Sequence, residues 1–351
     1  MIIFKEIKLR YDYLDIILDE KLKDIRFANT VNVVVDLKEI LRKVFRPDIL
    51  DERDINSETI EELSSDIIGI VSHYRNYFYK QGKYSSFFFL YSSTECKVMI
   101  AKFPDYKKEY YRKYFNDPAR LKKIDLVKKA VMISEKILNK VPNCQFIDTS
   151  QFDEFVVAKF LVNKIPTNEM TFILSSDEIM AQLINKHTFL IDMKSDDSTL
   201  LIEENAVKTL YKRETPISSK LISLVSAIMG TKRYSLNELP RVGPFRSIKA
   251  VERLLDEHKL INTEYLTFPV VKEVLDTKNT YEKLLYDNFN SIKENFEMIR
   301  SDDVLYSNNA NITVLFNKPK QTFSTNYFLE LDAKVFTNFP IHIDMLLKGE
   351  L

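Results

Sequence analysis

Short runs of β-branched and aromatic residues alternate along this chain with longer amphipathic, charged stretches. Val31–Asp36 (VNVVVD) is a continuous apolar run ending in a carboxylate, the pattern of a strand covered on both faces of a parallel sheet. Ser86–Ser92 (SFFFLYS), Cys144–Asp148, Met170–Leu174 (MTFIL) and Phe189–Asp192 read the same way. Helical spacing is predicted over Ser57–Lys80, over Ala119–Lys140 after the Asp117-Pro118 break, and over Glu154–Leu161. It continues over Ser218–Ala227, breaks at Gly230 and Pro240, resumes at Ser247–His258, and returns near Thr280–Ile299; Ile312–Phe316 reads as an alternating stretch. Strands interleaved with helices predict an α/β fold: a mostly parallel sheet with helices on both faces, followed by an α+β C-terminal extension.

Two carboxylates stand out on this pattern. Asp36 and Asp177 each follow a buried apolar strand directly, and ligands of open α/β sheets gather at the carboxyl ends of strands. The same position also suits a helix cap, which needs only a side-chain oxygen near the first free amides.

Charge changes the picture further. The chain has 51 basic and 51 acidic residues, yet Tyr74 to Lys140 carries 16 Lys and Arg against 6 Asp and Glu, with 9 of the 18 tyrosines. Asp51 to Asp66 is acidic. A basic, tyrosine-rich segment suits a phosphate backbone with unstacked bases, and equally a solvated helical face. Five glycines leave no Walker loop, GxGxxG or GxSxG turn, which excludes those phosphate-cradling and serine-hydrolase devices. Cys96 and Cys144 form no disulfide framework or CxxC pair, and the four histidines are scattered singly, so a sulfur-rich zinc site is excluded. No apolar run approaches the length of about 20 residues needed to span a bilayer, and no secretory h-region opens the chain. A cytoplasmic setting is expected. A Lys-, Asn-, Ile- and Tyr-rich composition suits a low-GC phage or its host.

Four segments, in order, resemble the flap endonuclease and 5′→3′ exonuclease family of the phage ribonuclease H type, with its PIN-like fold. They are the strand ending in Asp36; the FFFLYSS strand followed by Asp105-Tyr106-Lys107-Lys108 and Arg112; the strand-to-helix corner Ser175-Ser176-Asp177; and Leu239-Pro240-Arg241-Val242-Gly243-Pro244 with Arg246 and Lys249, similar to a helix-hairpin-helix. Together they cover residues 30–260. The resemblance implies residues 1–215 as a nuclease-type domain with a basic arch-like segment at about 95–140, residues 216–265 as a hairpin subdomain, and residues 266–351 as an extension. It also implies two-metal phosphodiester hydrolysis on a cage of carboxylates.

Only part of that cage is present. Asp36, Glu154 and Asp177 match ligand positions, with Asp153 a substitute, and could hold one Mg²⁺ or Mn²⁺. Tyr91-Ser92-Ser93, Phe155, Ile179 and Thr231-Lys232-Arg233-Tyr234 stand where the family places further carboxylates. The reading is therefore a nucleic-acid-binding protein with a degenerate centre. It engages single-stranded or branched DNA through Tyr106, Lys107, Lys108, Arg112, Gly243, Arg246 and Lys249, with no membrane partner. The alternatives are an active Mg²⁺-dependent 5′ nuclease, or an assembly protein with protein partners that reuses the fold.

Overall fold

A computed structural model describes residues 30–37, 57–80, 82–92, 94–116, 118–141, 143–192, 199–203, 205–231, 234–236, 239, 242–260, 268 and 270–316. Residues 51–56 of the acidic segment, and Lys232, Arg233 and Arg241, lie outside this set. Six strands form one sheet: β1 (Thr30–Asp36), β2 (Tyr84–Tyr91), β3 (Cys144–Asp148), β4 (Met170–Ser175), β5 (Thr188–Asp192) and β6 (Thr199–Leu201). Their order is β3-β2-β1-β4-β5-β6, parallel throughout except for antiparallel β6.

The strand alternation assigns each face. Val31, Val33 and Val35 of β1 point to one side with Phe87, Phe89, Phe172 and Leu174, where α1 (Ser57–Lys80) and, after α2 (Lys97–Lys102) and α3 (Lys108–Phe115), α4 (Pro118–Leu138) cover them. Val34, Leu90, Ile173 and Leu190 point to the other, against α5 (Glu154–Lys164) and later elements. Each buried valine contributes about 1.5–3 kcal/mol as an upper estimate, which makes central β1 the strand the sheet is built around.

The remaining α-helices among the described residues are α6 (Ala206–Tyr211), α7 (Ile222–Met229), α8 (Pro244–Asp256), α9 (Thr280–Asp287), α10 (Phe289–Arg300), α11 (Asp302–Ser307) and α12 (Asn309–Phe316). The single helix expected at Thr280–Ile299 is two, because Asn288 ends α9 and its side chain donates to the Leu284 carbonyl at 2.9 Å. Ile312–Phe316 is helix rather than an extended stretch; Ile312 is buried with Leu315 and Phe316 packed against the same core, while Thr313 and Val314 are exposed, a one-sided helical face. α7 packs against both α8 and α10, so the C-terminal elements share a core with the sheet's second face. No helix among the described residues is long and apolar enough to cross a membrane.

Candidate functional site

β1 has β2 on one side and β4 on the other, so the strand order reverses beside it, and the carboxyl ends of β1 and β4 flank the crevice this produces. Val35 pairs with Leu174, which brings the next residues, Asp36 and Ser175, alongside one another. Ser175 Oγ donates to Asp36 Oδ2 at 2.8 Å and accepts from the Asp177 amide at 3.0 Å. The two aspartates anticipated at one sheet edge are thus joined through a single hydroxyl. Both are buried.

Each retained carboxylate is engaged by the protein. Asp177 caps the 3-10 turn Glu178–Leu183, accepting from the Ile179 amide at 3.2 Å, while its other oxygen takes the Tyr234 hydroxyl. Glu154 Oε1 accepts from the Ser92 amide at 3.1 Å, just beyond β2. Asp153 caps α5 through the Phe155 amide at 2.9 Å and forms a buried ion pair with Lys107. Its φ of 105° lies in a region that costs a non-glycine residue about 1–3 kcal/mol. The Lys107 ammonium also stands 4.8 Å from the Tyr234 ring centroid and 5.3 Å from that of Tyr106.

Beside this pair, Cys96 Sγ lies 3.7 Å from Asp153 Oδ2 and accepts from the Tyr111 hydroxyl at 3.3 Å. Burial, followed by the Asp153 charge, pushes the Cys96 thiol up to about 12, which makes it an inert neutral group. Burial likewise raises the Tyr106 and Tyr111 hydroxyls well above their ordinary value, so both stay protonated. Cys96 was not among the sequence candidates; Tyr111, one of the tyrosines of the basic segment, is buried.

The expected three-ligand remnant does not gather. Among the described residues no group of three or more His, Cys, Asp or Glu is placed to hold a metal ion. Asp36, Glu154 and Asp177 instead accept from Ser175, the Ser92 amide and the pair of Ile179 amide and Tyr234 hydroxyl. Ile179 and Phe155 are buried apolar neighbours of these carboxylates, and apolar groups cannot coordinate a hard cation. Among the described residues these carboxylates therefore form no three-ligand cage for a divalent ion.

The anticipated DNA-facing residues divide. Tyr106 and Lys107 are buried, at 2% and 5% exposure, a correction to their expected place on an open basic face: the buried Asp153 carboxylate draws the ammonium inward. Lys108 and Arg112 are exposed on a groove of 760 Å³ between α3, the turn at Ser235 and α10. Asp105, Glu109, Glu294 and Glu297 line the same groove, so its walls carry both signs. On α8, Arg246 is exposed, Lys249 pairs with Glu252 at 2.6 Å, and Arg253 pairs with Glu257 and buried Glu282. Gly243 is extended (φ −111°), and open space lies where a Cβ would stand, so the fold itself does not demand glycine there.

No family model matches the sequence, and no curated protein sequence matches it. Solved structures do. Bacteriophage T5 D15 flap endonuclease, in a pseudo-enzyme–product complex with DNA and metal ions, aligns with a TM-score of 0.54 at 11% identity, covering 92% of this chain and 100% of that one. T5 5′-exonuclease with zinc bound gives 0.54 at 11% identity over 81% and 99%. D15 protein co-crystallised with metal ions gives 0.55, again at 11% over 81% and 99%. This chain has the flap endonuclease/5′-exonuclease-like fold. At such low identity the likeness fixes architecture alone.

Proposed function

We propose that this protein binds DNA through a flap-endonuclease-like scaffold whose hydrolytic centre is degenerate. The observation that carries this reading is the engagement of Asp36, Asp153, Glu154 and Asp177 by protein donors, beside apolar Phe155 and Ile179. Two-metal hydrolysis needs several open carboxylates around two cations about 4 Å apart, with room for a nucleophilic water. The metal-containing T5 structures motivate divalent ions as the thing to test, and the DNA in one of them motivates the ligand class. A neighbour described as a pseudo-enzyme carries lysine in place of an aspartate, a parallel to the basic residue this chain holds among its carboxylates.

Binding is assigned to the exposed part of the basic segment, Lys108 and Arg112, with Arg246 at the start of α8 as a second contact. Such contacts go to phosphates and carry no sequence information. The test is a labelled 5′-flap substrate incubated with Mg²⁺ and with Mn²⁺, alongside affinity measured across a salt series. The expected result is no cleavage, with a log–log salt slope falling by about 0.7–0.9 per phosphate contact removed. Turnover abolished by Asp36→Ala establishes an active nuclease instead. A second reading, an assembly protein, is favoured by the mixed-sign groove and the paired cations Lys249 and Arg253, and takes first place if affinity at low salt is negligible.

A further inference from the structure

We infer that Lys107 is a built-in cation that occupies the electrostatic role of a metal ion at the crevice and clamps the basic segment to the chain after α7. The inference rests on the degenerate-centre reading and deepens it. The Lys107 ammonium is bound to Asp153 and enclosed by the rings of Tyr106 and Tyr234, a desolvated setting in which a positive charge persists only with a counter-charge and π faces around it. Tyr234 extends the network by donating to Asp177, so one lysine neutralises Asp153 directly and organises the donor that satisfies Asp177.

The backbone is shaped to deliver it. Lys107 (φ 50°) and Asp153 (φ 105°) both stand at positive φ, a cost that surrounding structure must offset. The Lys107 amide donates to the Tyr234 carbonyl at 3.2 Å, and the Glu109 amide to Ser235 Oγ at 3.1 Å, which docks the first turn of α3 on the turn after Gly230. Divalent cations tie carboxylates from separate elements together; here an ammonium on one element meets a carboxylate on another and two rings.

Two consequences follow: the folded protein is indifferent to metal, and loss of the lysine charge leaves a deficit that a metal ion does not make good, because no three-ligand group gathers there among the described residues. The experiment compares full-length wild type, Lys107→Met, and Lys107→Met with Asp153→Asn. Thermal unfolding is recorded in chelator and in millimolar Mn²⁺, and bound Mn²⁺ is read from the loss of its free spin-resonance signal. Wild type should show no bound Mn²⁺ and no shift. Lys107→Met should unfold several degrees lower, in chelator and in Mn²⁺ alike. The double variant, with the opposing carboxylate charge removed as well, should regain stability and ignore Mn²⁺. If Lys107→Met does not fold at all, a folded double variant still supports the inference, and an equally unfolded one overturns it. Tight Mn²⁺ binding by wild type, or a Lys107→Met as stable as wild type, also overturns it. Mn²⁺-dependent cleavage by wild type, or recovery of Lys107→Met in Mn²⁺, overturns the degenerate-centre reading, whereas a Lys107→Met as stable as wild type, with wild type still inactive, sinks the built-in cation alone.

Discussion

Lys159 shows how a buried charge on this scaffold leaves a measurable trace. It lies on α5, pairs with Asp302 and donates to the Arg300 carbonyl at 2.8 Å, tying the helix that begins at Asp153 to the C-terminal elements. Burial lowers its ammonium to about 8, against the opposing pull of Asp302. A lysine whose folded value is depressed holds fewer protons folded than unfolded between about pH 8 and 10.5, so stability rises with pH across that window and is lost on descending it. From about pH 7.5 to about pH 9.5 the gain is on the order of 2 kcal/mol. Above about pH 10 the buried hydroxyls of Tyr106, Tyr111 and Tyr211 act in the opposite sense, because only the unfolded chain ionises them there. Urea midpoints measured along this range should rise and then fall for wild type, and Lys159→Met should lose the rise; a rise that survives the substitution assigns it elsewhere. At this scale the sequence is a poor guide. Lys107 and Lys108 are adjacent and chemically alike, yet a single left-handed φ turns one into the interior and leaves its neighbour in solvent.

Elements were far more legible than side chains, for a reason visible in the strands. β1, β2, β4 and β5 are short β-branched or aromatic runs because both faces are covered, and such runs betray themselves without any partner in view. The carboxylates Asp36 and Asp177 were legible for the same reason, since a strand's end is marked by where apolarity stops. Their partners were legible only in part: the resemblance singled out Lys107 and Tyr234, but as a DNA contact and as a replaced carboxylate, and nothing in the pattern shows that Lys107 takes a left-handed φ and turns inward. α2 and β6, at six and three residues, are too short for periodicity to register. α8 offers the element-scale test of binding. Its apolar stripe Ile248, Val251 and Leu254 faces the core, and its first turn presents Arg246 to solvent while Lys249 is paired. Arg246→Glu should therefore weaken DNA affinity and lower the salt slope by about 0.9, whereas Lys249→Glu should do less. Equal losses would show that the pair with Glu252 breaks on binding. Gly243→Ala should alter stability by no more than about 0.5 kcal/mol, because neither φ nor space requires glycine there.

Across the whole molecule, one apolar core runs from Val34 and Ile173 in the sheet through Ile222, Val225 and Ile248 to Ile292, Leu305 and Ile312. The segments delimited by sequence at residues 215 and 265 thus share their interior, and buried polar ties cross the same boundaries. Asn295 donates to the Ala227 carbonyl at 3.0 Å, Gln145 on β3 to the Phe316 carbonyl at 3.2 Å, and Lys159 pairs with Asp302. The tightest of these ties is Glu282 on α9. Burial pushes its carboxyl up, but Lys259, the Asp276 amide and Arg253 outweigh this and hold it below the usual range. Glu282→Ala strips a fully buried partner from Arg253 and Lys259; both cations keep partial access to water and Arg253 keeps Glu257, so the loss is about 1–3 kcal/mol, below that of a stranded buried charge. Because the core is continuous, that loss cannot be confined to the extension: it should lower the single unfolding transition followed by far-ultraviolet dichroism and by tyrosine fluorescence together. Removing residues 266–351 should go further, exposing Ile222, Leu224 and Val225 of α7, which pack against α10, and leaving a chain that does not fold cooperatively. A truncated protein that retains wild-type DNA affinity and a sharp transition would show that the sheet and hairpin stand alone, and that the C-terminal helices are an addition to a finished fold.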